Sequence, residues 1–169
     1  MDRSQTAAEF YAAAKNLKRQ VDSMGVCDES NLGNLLKALA ELYLKALCLP
    51  LYKLRDLRNH PFGKEFSHHA FYNEYCRKID FKGKAHYHEF FDPYDAESAV
   101  IGNLADDIAD ILADIEAGMI LYESGRQKNA ASEWKNSFCI HWGEHITGAI
   151  RALDSVYRRT LEGAYDEEI

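Results

Sequence analysis

Along the first part of the chain, apolar residues return at alternating steps of three and four. Ala7, Phe10, Ala14, Leu17, Val21 and Met24 share one face of a helix, which the pattern predicts from Thr6 to Ser23. Thr6 with Glu9 three residues on reads as a capping box at its start, and Gly25 as its stop. After Ser30, a capping residue, Leu32, Leu35, Leu36, Leu39, Tyr43, Ala46 and Leu47 keep the same period. Leu42, Leu44 and Leu49 widen this stripe, so the second helix is expected to be largely buried. Pro50 ends or kinks it, having no amide hydrogen and restricting the residue before it.

From Leu51 to Gly63 the pattern weakens, and Asn59-His60-Pro61 with Gly63 reads as a turn-rich connection. Ser67 caps a third predicted helix from His68 to Ile79, with Phe71, Tyr75 and Ile79 on one side and Gly83 beyond it as a breaker. The stretch from His86 to Tyr94 reads as irregular. Its rings, Tyr87, Phe90, Phe91 and Tyr94, are expected to plug the core. Asp92-Pro93 looks like the start of a fourth helix, with Asp95 as a competing cap, running to about Ser124. Within it Ile101, Leu104, Ile108, Leu112, Ile115 and Met119 point within roughly 40° of one direction. Gly125 stops it. The last helix is predicted from Lys128 to about Arg159, with Ala131, Trp134, Phe138, Trp142, Ile146, Ala149, Leu153 and Val156 on its apolar face, before a frayed acidic tail at Asp166, Glu167 and Glu168. Together these predict an all-α fold: one domain over residues 1–169, a helical bundle of about five helices with an antiparallel C-terminal hairpin of two long helices.

Two resemblances sharpen the C-terminal half. Gly118-Met119-Ile120-Leu121-Tyr122-Glu123-Ser124-Gly125-Arg126, with Ala130 and Trp134, resembles the helix-turn-helix of one tetratricopeptide repeat. The resemblance implies a close crossing at Gly118 and Ala130, a turn at Gly125 and a gap filled by Trp134. It covers about one repeat, where stacked arrays need about three or more, so it implies a helical hairpin rather than a peptide-binding array. A longer stretch, about Asp92 to Arg159, is similar to an uncharacterised bacterial family known only as a domain of unknown function. Asn103 to Asp110, Tyr122 to Arg126, Trp134, His141 to His145 and Arg151-Ala152-Leu153 carry this similarity. It implies an all-α fold and brings no activity with it.

Charge and composition narrow the function classes. The net charge of -7 opposes the phosphate neutralisation on which nucleic-acid affinity rests. Basic and aromatic residues interleave between Arg55 and Lys84, including Phe62, Phe66, Phe71, Tyr72, Tyr75 and Phe81, a composition able to stack on unpaired bases. The preferred reading of that alternation is rings turned inward and cations facing water. Cys27, Cys48, Cys76 and Cys139 share no CxxC spacing, and Cys48 and Cys139 fall in apolar helical patterns where cysteine behaves as a small hydrophobe. With no signal-peptide pattern after Met1 and no apolar run of about 18 residues, a reduced, cytoplasmic protein without membrane insertion is expected.

The candidate chemistry centres on His141-Trp142-Gly143-Glu144-His145, which has the formal H-x-x-E-H order of inverted zinc metallopeptidases. One helical turn separates the two imidazoles, a spacing suited to one divalent metal. Measured from Trp142, His145 lies about 60°, His141 about 100° and Glu144 about 160° round the helix, so the histidines border the core and Glu144 points outward. No downstream ligand helix follows, which argues against peptidase activity. Asp106, Asp107, Asp110 and Asp114 resemble an aspartate-rich cation site, yet Asp106, Asp110 and Asp114 sit about 120° to 160° from Ile108, which predicts a solvated face. His86, His88, His68 and His69 can join the His141/His145 flank only if the aromatic loop folds over the last helix. No glycine-rich phosphate loop occurs.

Two function classes follow. The leading expectation is a non-catalytic helical protein-interaction module, without cofactor, whose protein partner docks on the last helices or the aromatic loop. Its groove would be the flank Trp134, Phe138, His141, His145, Gly148 and Ala152. The alternative is a metal-binding protein or metal-dependent hydrolase with a divalent metal on His141 and His145.

Overall fold

The computed structural model describes residues 3–25, 29–51, 67–90, 94 and 99–166, with the backbone alone at residues 3, 29 and 162–166. The helical periods are realised as α1 (Arg3–Ser23), α2 (Glu29–Cys48), α3 (His68–Lys78), α4 (Leu104–Glu123), α5 (Gln127–Ser137) and α6 (Gly143–Asp166). A π-helical turn, Phe138–Trp142, joins α5 to α6, so the last three segments form one continuous rod. The described chain is therefore mostly helical, with five helices when that rod is counted once. The strands β1 (His86–Glu89) and β2 (Val100–Asn103) add a small antiparallel pair, with His86 opposite Asn103 and Glu89 opposite Val100.

Packing is organised round α4, which lies against α3, α5 and α6, while α1 packs on α2 and α2 on α6. The crossing of α4 and α5 follows from residue size. A Cβ on Gly118 would lie 2.1 Å from Trp134 Nε1, so only glycine lets the indole lie flat on α4. The indole N–H donates to the Ile115 carbonyl at 2.9 Å, which satisfies the one polar atom the ring buries. Phe10 of α1 then covers it at a ring separation of 4.6 Å, with Trp142 beyond at 6.1 Å from Phe10. Gly125, at φ +81°, makes the turn between the two helices. The buried Lys135 ammonium donates to the Ala46 carbonyl at 3.0 Å, satisfying an open acceptor at the C-terminal end of α2.

Several local expectations are corrected. Helix α1 begins at Arg3, a turn before Thr6, which is buried inside it, and Glu9 pairs with Lys45 at 2.9 Å instead of closing a capping box. Helix α2 begins at Glu29, so Ser30 lies in its first turn; Leu44 and Leu47 are exposed, because Leu35, Leu39, Leu42 and Ala46 already occupy the inward arc. Helix α4 starts at Leu104, capped by Asn103, whose side chain accepts from Ala105 N at 2.9 Å. The 100–103 segment pairs as a strand instead, and Ile101 is 65% exposed rather than part of the stripe. Part of the aromatic loop is likewise the strand β1, and Tyr94 is exposed. Cys48 and Cys139 are exposed thiols, Cys76 being half-buried. Ser67 caps α3 as expected, accepting from Ala70 N at 3.3 Å. Cys27, the 52–66 connection with Lys53, Arg55, Arg58 and Lys64, and Phe91, Asp92-Pro93 and Asp95 lie outside the described residues.

A histidine and aspartate cluster between the fourth and last helices

Asp107, Asp110 and Asp114 recur at steps of three and four on α4, which places them along one side within an arc of about 60°. That side does not face water. Asp107 is 5% exposed, and Asp106, Asp110 and Asp114 are half-buried, because the polar flank of the last rod and part of α3 lie over them. The expectation of a solvated face fails for this reason: angle from the apolar stripe says where apolar neighbours go, and here polar side chains pack on polar side chains.

The geometry pairs each histidine with a carboxylate. His145 Nδ1 lies 2.9 Å from Asp107 Oδ1, and its Nε2 lies 3.7 Å from Asp110 Oδ2. His141 Nδ1 lies 2.7 Å from Asp114 Oδ2, while the other oxygen of Asp114 holds His68 Nε2 at 3.1 Å. An ionised carboxylate only accepts, so His141 and His145 donate from Nδ1 and, when neutral, keep a lone pair at Nε2, whereas His68 donates from Nε2. The two rings stand edge to face with centroids 4.9 Å apart. One donor atom each from Asp110, His141 and His145 lie within 4.8 Å of one another.

The surroundings hold this arrangement. Tyr87 of β1 donates to Asp107 Oδ2 at 2.7 Å, so Asp107 serves both the strand and His145. Tyr72 of α3 donates to Asp106. The hydrogen bond to Asp107 raises the His145 imidazole above its ordinary value against the opposing effect of burial, and burial raises the Asp110 carboxyl despite the favourable field of His145. The phenol of Tyr87 is raised by burial and by Asp107, so it is a fixed donor. The π-turn contributes the phase of the two histidines. Gly143 N–H reaches back to the Phe138 carbonyl, five residues earlier, and a Cβ on Gly143 would lie 2.3 Å from that oxygen. π-Turns within α-helices often accompany functional sites.

The other anticipated residues fall as follows. The strand β1 does lie over the last helix, and Tyr87 and Glu89 cover Gly148 so closely that a Cβ there would meet Glu89 Oε2 at 2.2 Å. Gly148 is thus covered by the chain itself, and Trp134 and Ala152 are buried; of the expected groove, Phe138 and His145 are half-buried and His141 is exposed. His68 joins the cluster, His69 does not, and His86 and His88 face a separate cavity. Glu144 is exposed and outside the cluster, which leaves the H-x-x-E-H order without its acid. Asp107, Asp114, Tyr72 and Tyr87 were not singled out as partners from sequence. The three-and-four spacing of the aspartates was the available signal.

Residues 2–159 match the model of a family described as a domain of unknown function, DUF5063. The chain belongs to this family. A search of the curated proteins found no match. Among solved structures, the chain is similar to protein BF1032 from Bacteroides fragilis, at 20% identity with a TM-score of 0.65, over 90% of this chain and 95% of that one. At that identity the likeness shows a shared fold alone. Among the described residues, no helix is long and apolar enough to cross a membrane.

Proposed function

We propose that this protein binds a divalent transition-metal ion through Asp110, His141 and His145. The supporting observation is the carboxylate behind each ring: both histidines give Nδ1 to a buried or half-buried carboxylate, the arrangement by which proteins orient imidazoles for metal, and one donor atom from each lies within 4.8 Å of one from Asp110. Two imidazoles and one carboxylate suit zinc, iron or manganese better than calcium or copper(I). The donor atoms lie within 4.8 Å of one another, whereas neighbouring ligands of one zinc ion are about 3.3 Å apart for bonds of about 2.0 Å, so small side-chain shifts have to close the set. Three protein donors leave a position for water, which is the basis for a hydrolytic role.

The test is titration of chelator-treated protein with cobalt(II), whose visible absorption reports its donors. One equivalent is expected to saturate the wild type, and Asp110→Ala is expected to weaken binding at least about tenfold. Absence of saturable binding, or equal affinity in His141→Ala/His145→Ala, overturns the proposal. A second reading, docking of a protein partner on the last rod, has separate support in Ile140, which is 83% exposed beside the exposed Cys139. Ile140→Glu should then abolish partner co-purification while leaving metal binding intact; an unchanged partner set removes that reading.

A further inference from the structure

A second feature lies along the same rod, toward its C-terminal end. A cavity of about 560 Å³ opens between β1 and α6, within the range of small-molecule sites. Its charge runs against that of the chain. Lys84, Arg151 and Arg159 line it together with His86 and His88, and no Asp or Glu does so among the described residues, although the whole chain carries -7. Arg151 and Arg159 stand two helical turns apart on one face of α6, with Ser155 between them. Ala152 and Val156 supply an apolar floor, and Ser155 and Thr160 bring hydroxyls.

The cations differ in how far they are committed. Arg151 is anchored, donating to Glu89 Oε1 at 2.7 Å and to the His88 carbonyl at 3.2 Å, which fixes its guanidinium at the cavity edge. Among the described residues Arg159 meets the Ser155 hydroxyl at 3.4 Å, and no carboxylate pairs with Lys84 or Arg159. The neighbouring Arg158, by contrast, pairs with Asp154 at 2.9 Å and lies outside the lining. Two uncommitted cations beside a fixed guanidinium, above an apolar floor, match an anion with several acceptor oxygens and an organic body.

We infer that this cavity binds a small phosphate ester, the phosphate held by Lys84, Arg151 and Arg159 and the organic part resting on Ala152 and Val156. The size of the enclosure favours a small molecule over a polymer. None of Asp110, His141 and His145 lines the cavity, so the inference stands whether or not metal binds.

The probe is phenyl phosphate, compared with inorganic phosphate, added to the chelator-treated full chain at low ionic strength and followed by calorimetry. Saturable one-to-one binding is expected, tighter for phenyl phosphate because its ring covers the floor. Lys84→Gln and Arg159→Gln should each weaken it about tenfold or more, with Arg158→Gln, an equal change in net charge, leaving it unaltered. Inorganic phosphate binding as tightly as phenyl phosphate would overturn the ester assignment in favour of a free-phosphate site. Absence of saturation, equal loss in Arg158→Gln, or no loss in Lys84→Gln and Arg159→Gln would overturn the cavity altogether.

Discussion

Replacement of Asp107 by asparagine tests how far the cluster depends on its buried carboxylate. Asp107 is 5% exposed and accepts from two donors, His145 Nδ1 at 2.9 Å and the Tyr87 hydroxyl at 2.7 Å. Asparagine keeps the shape but offers one uncharged oxygen and one NH₂, so it cannot accept from both groups as the carboxylate does, and a charge-assisted bond is lost. A charge-assisted hydrogen bond lost in this way costs about 1–3 kcal/mol. For a chain of this size that is a fall in Tm of about 2–4 °C per kcal/mol. The pH dependence has a definite sign. In the metal-free protein the folded-state pKa of His145 is raised above 6.5 by Asp107, so its contribution to stability is fully present below that value and is lost as pH rises through the raised one. The stability gap between wild type and Asp107→Asn should therefore be widest near pH 5.5 and narrow above neutrality. Metal affinity should fall about 10- to 100-fold, since His145 loses its orienting partner. Urea denaturation at several pH values and the NMR titration of the His145 ring are the assays. An unchanged His145 pKa with an unchanged urea midpoint below pH 6 would refute the reasoning.

Two other perturbations follow from the same geometry. Gly143→Ala places a methyl 2.3 Å from the Phe138 carbonyl oxygen and should destabilise the fold by about 1–3 kcal/mol while weakening metal binding, because the phase of His141 relative to His145 shifts; wild-type metal affinity in this variant would show that the π-turn has no part in the site. At Asp22 burial opposes ionisation, but the Lys78 ammonium at 2.6 Å and the Tyr75 hydroxyl at 2.8 Å outweigh it and hold the carboxyl below its ordinary value. Its contribution is thus present above about pH 4 and lost as pH falls through the depressed value, so Asp22→Asn should lower the urea midpoint at neutral pH and converge on wild type in acid.

The helices were legible because apolar periodicity and punctuation agree: Ser67, Gly25 and Gly125 mark ends where the structure has them. The tight crossing of Trp134 on Gly118 was legible because it follows from the sizes of two residues. Strand β1 was not, because its four residues carry two histidines and a glutamate and pair with a segment that begins eleven residues beyond its end, without a tight-turn signal. The histidine half of the cluster was visible as a flank at the core boundary. Its aspartate half was misread because a hydrophobic stripe reports apolar burial alone, whereas Asp107 is buried by Tyr87 and His145, whose positions depend on β1 and on the phase of the π-turn. Fold and candidate site thus differ in legibility for one reason: the first rests on local pattern, the second on contacts between α3, α4, β1 and the last rod.

The central claim, that Asp110, His141 and His145 hold a metal ion, is tested most directly by elemental analysis of tag-free protein beside His141→Ala/His145→Ala, with both first shown to be helical. About one zinc, iron or manganese per chain in the wild type, absent from the variant, is the predicted result. Wild-type protein that carries no metal, and takes up none when dialysed against zinc, iron(II) and manganese salts, would contradict it.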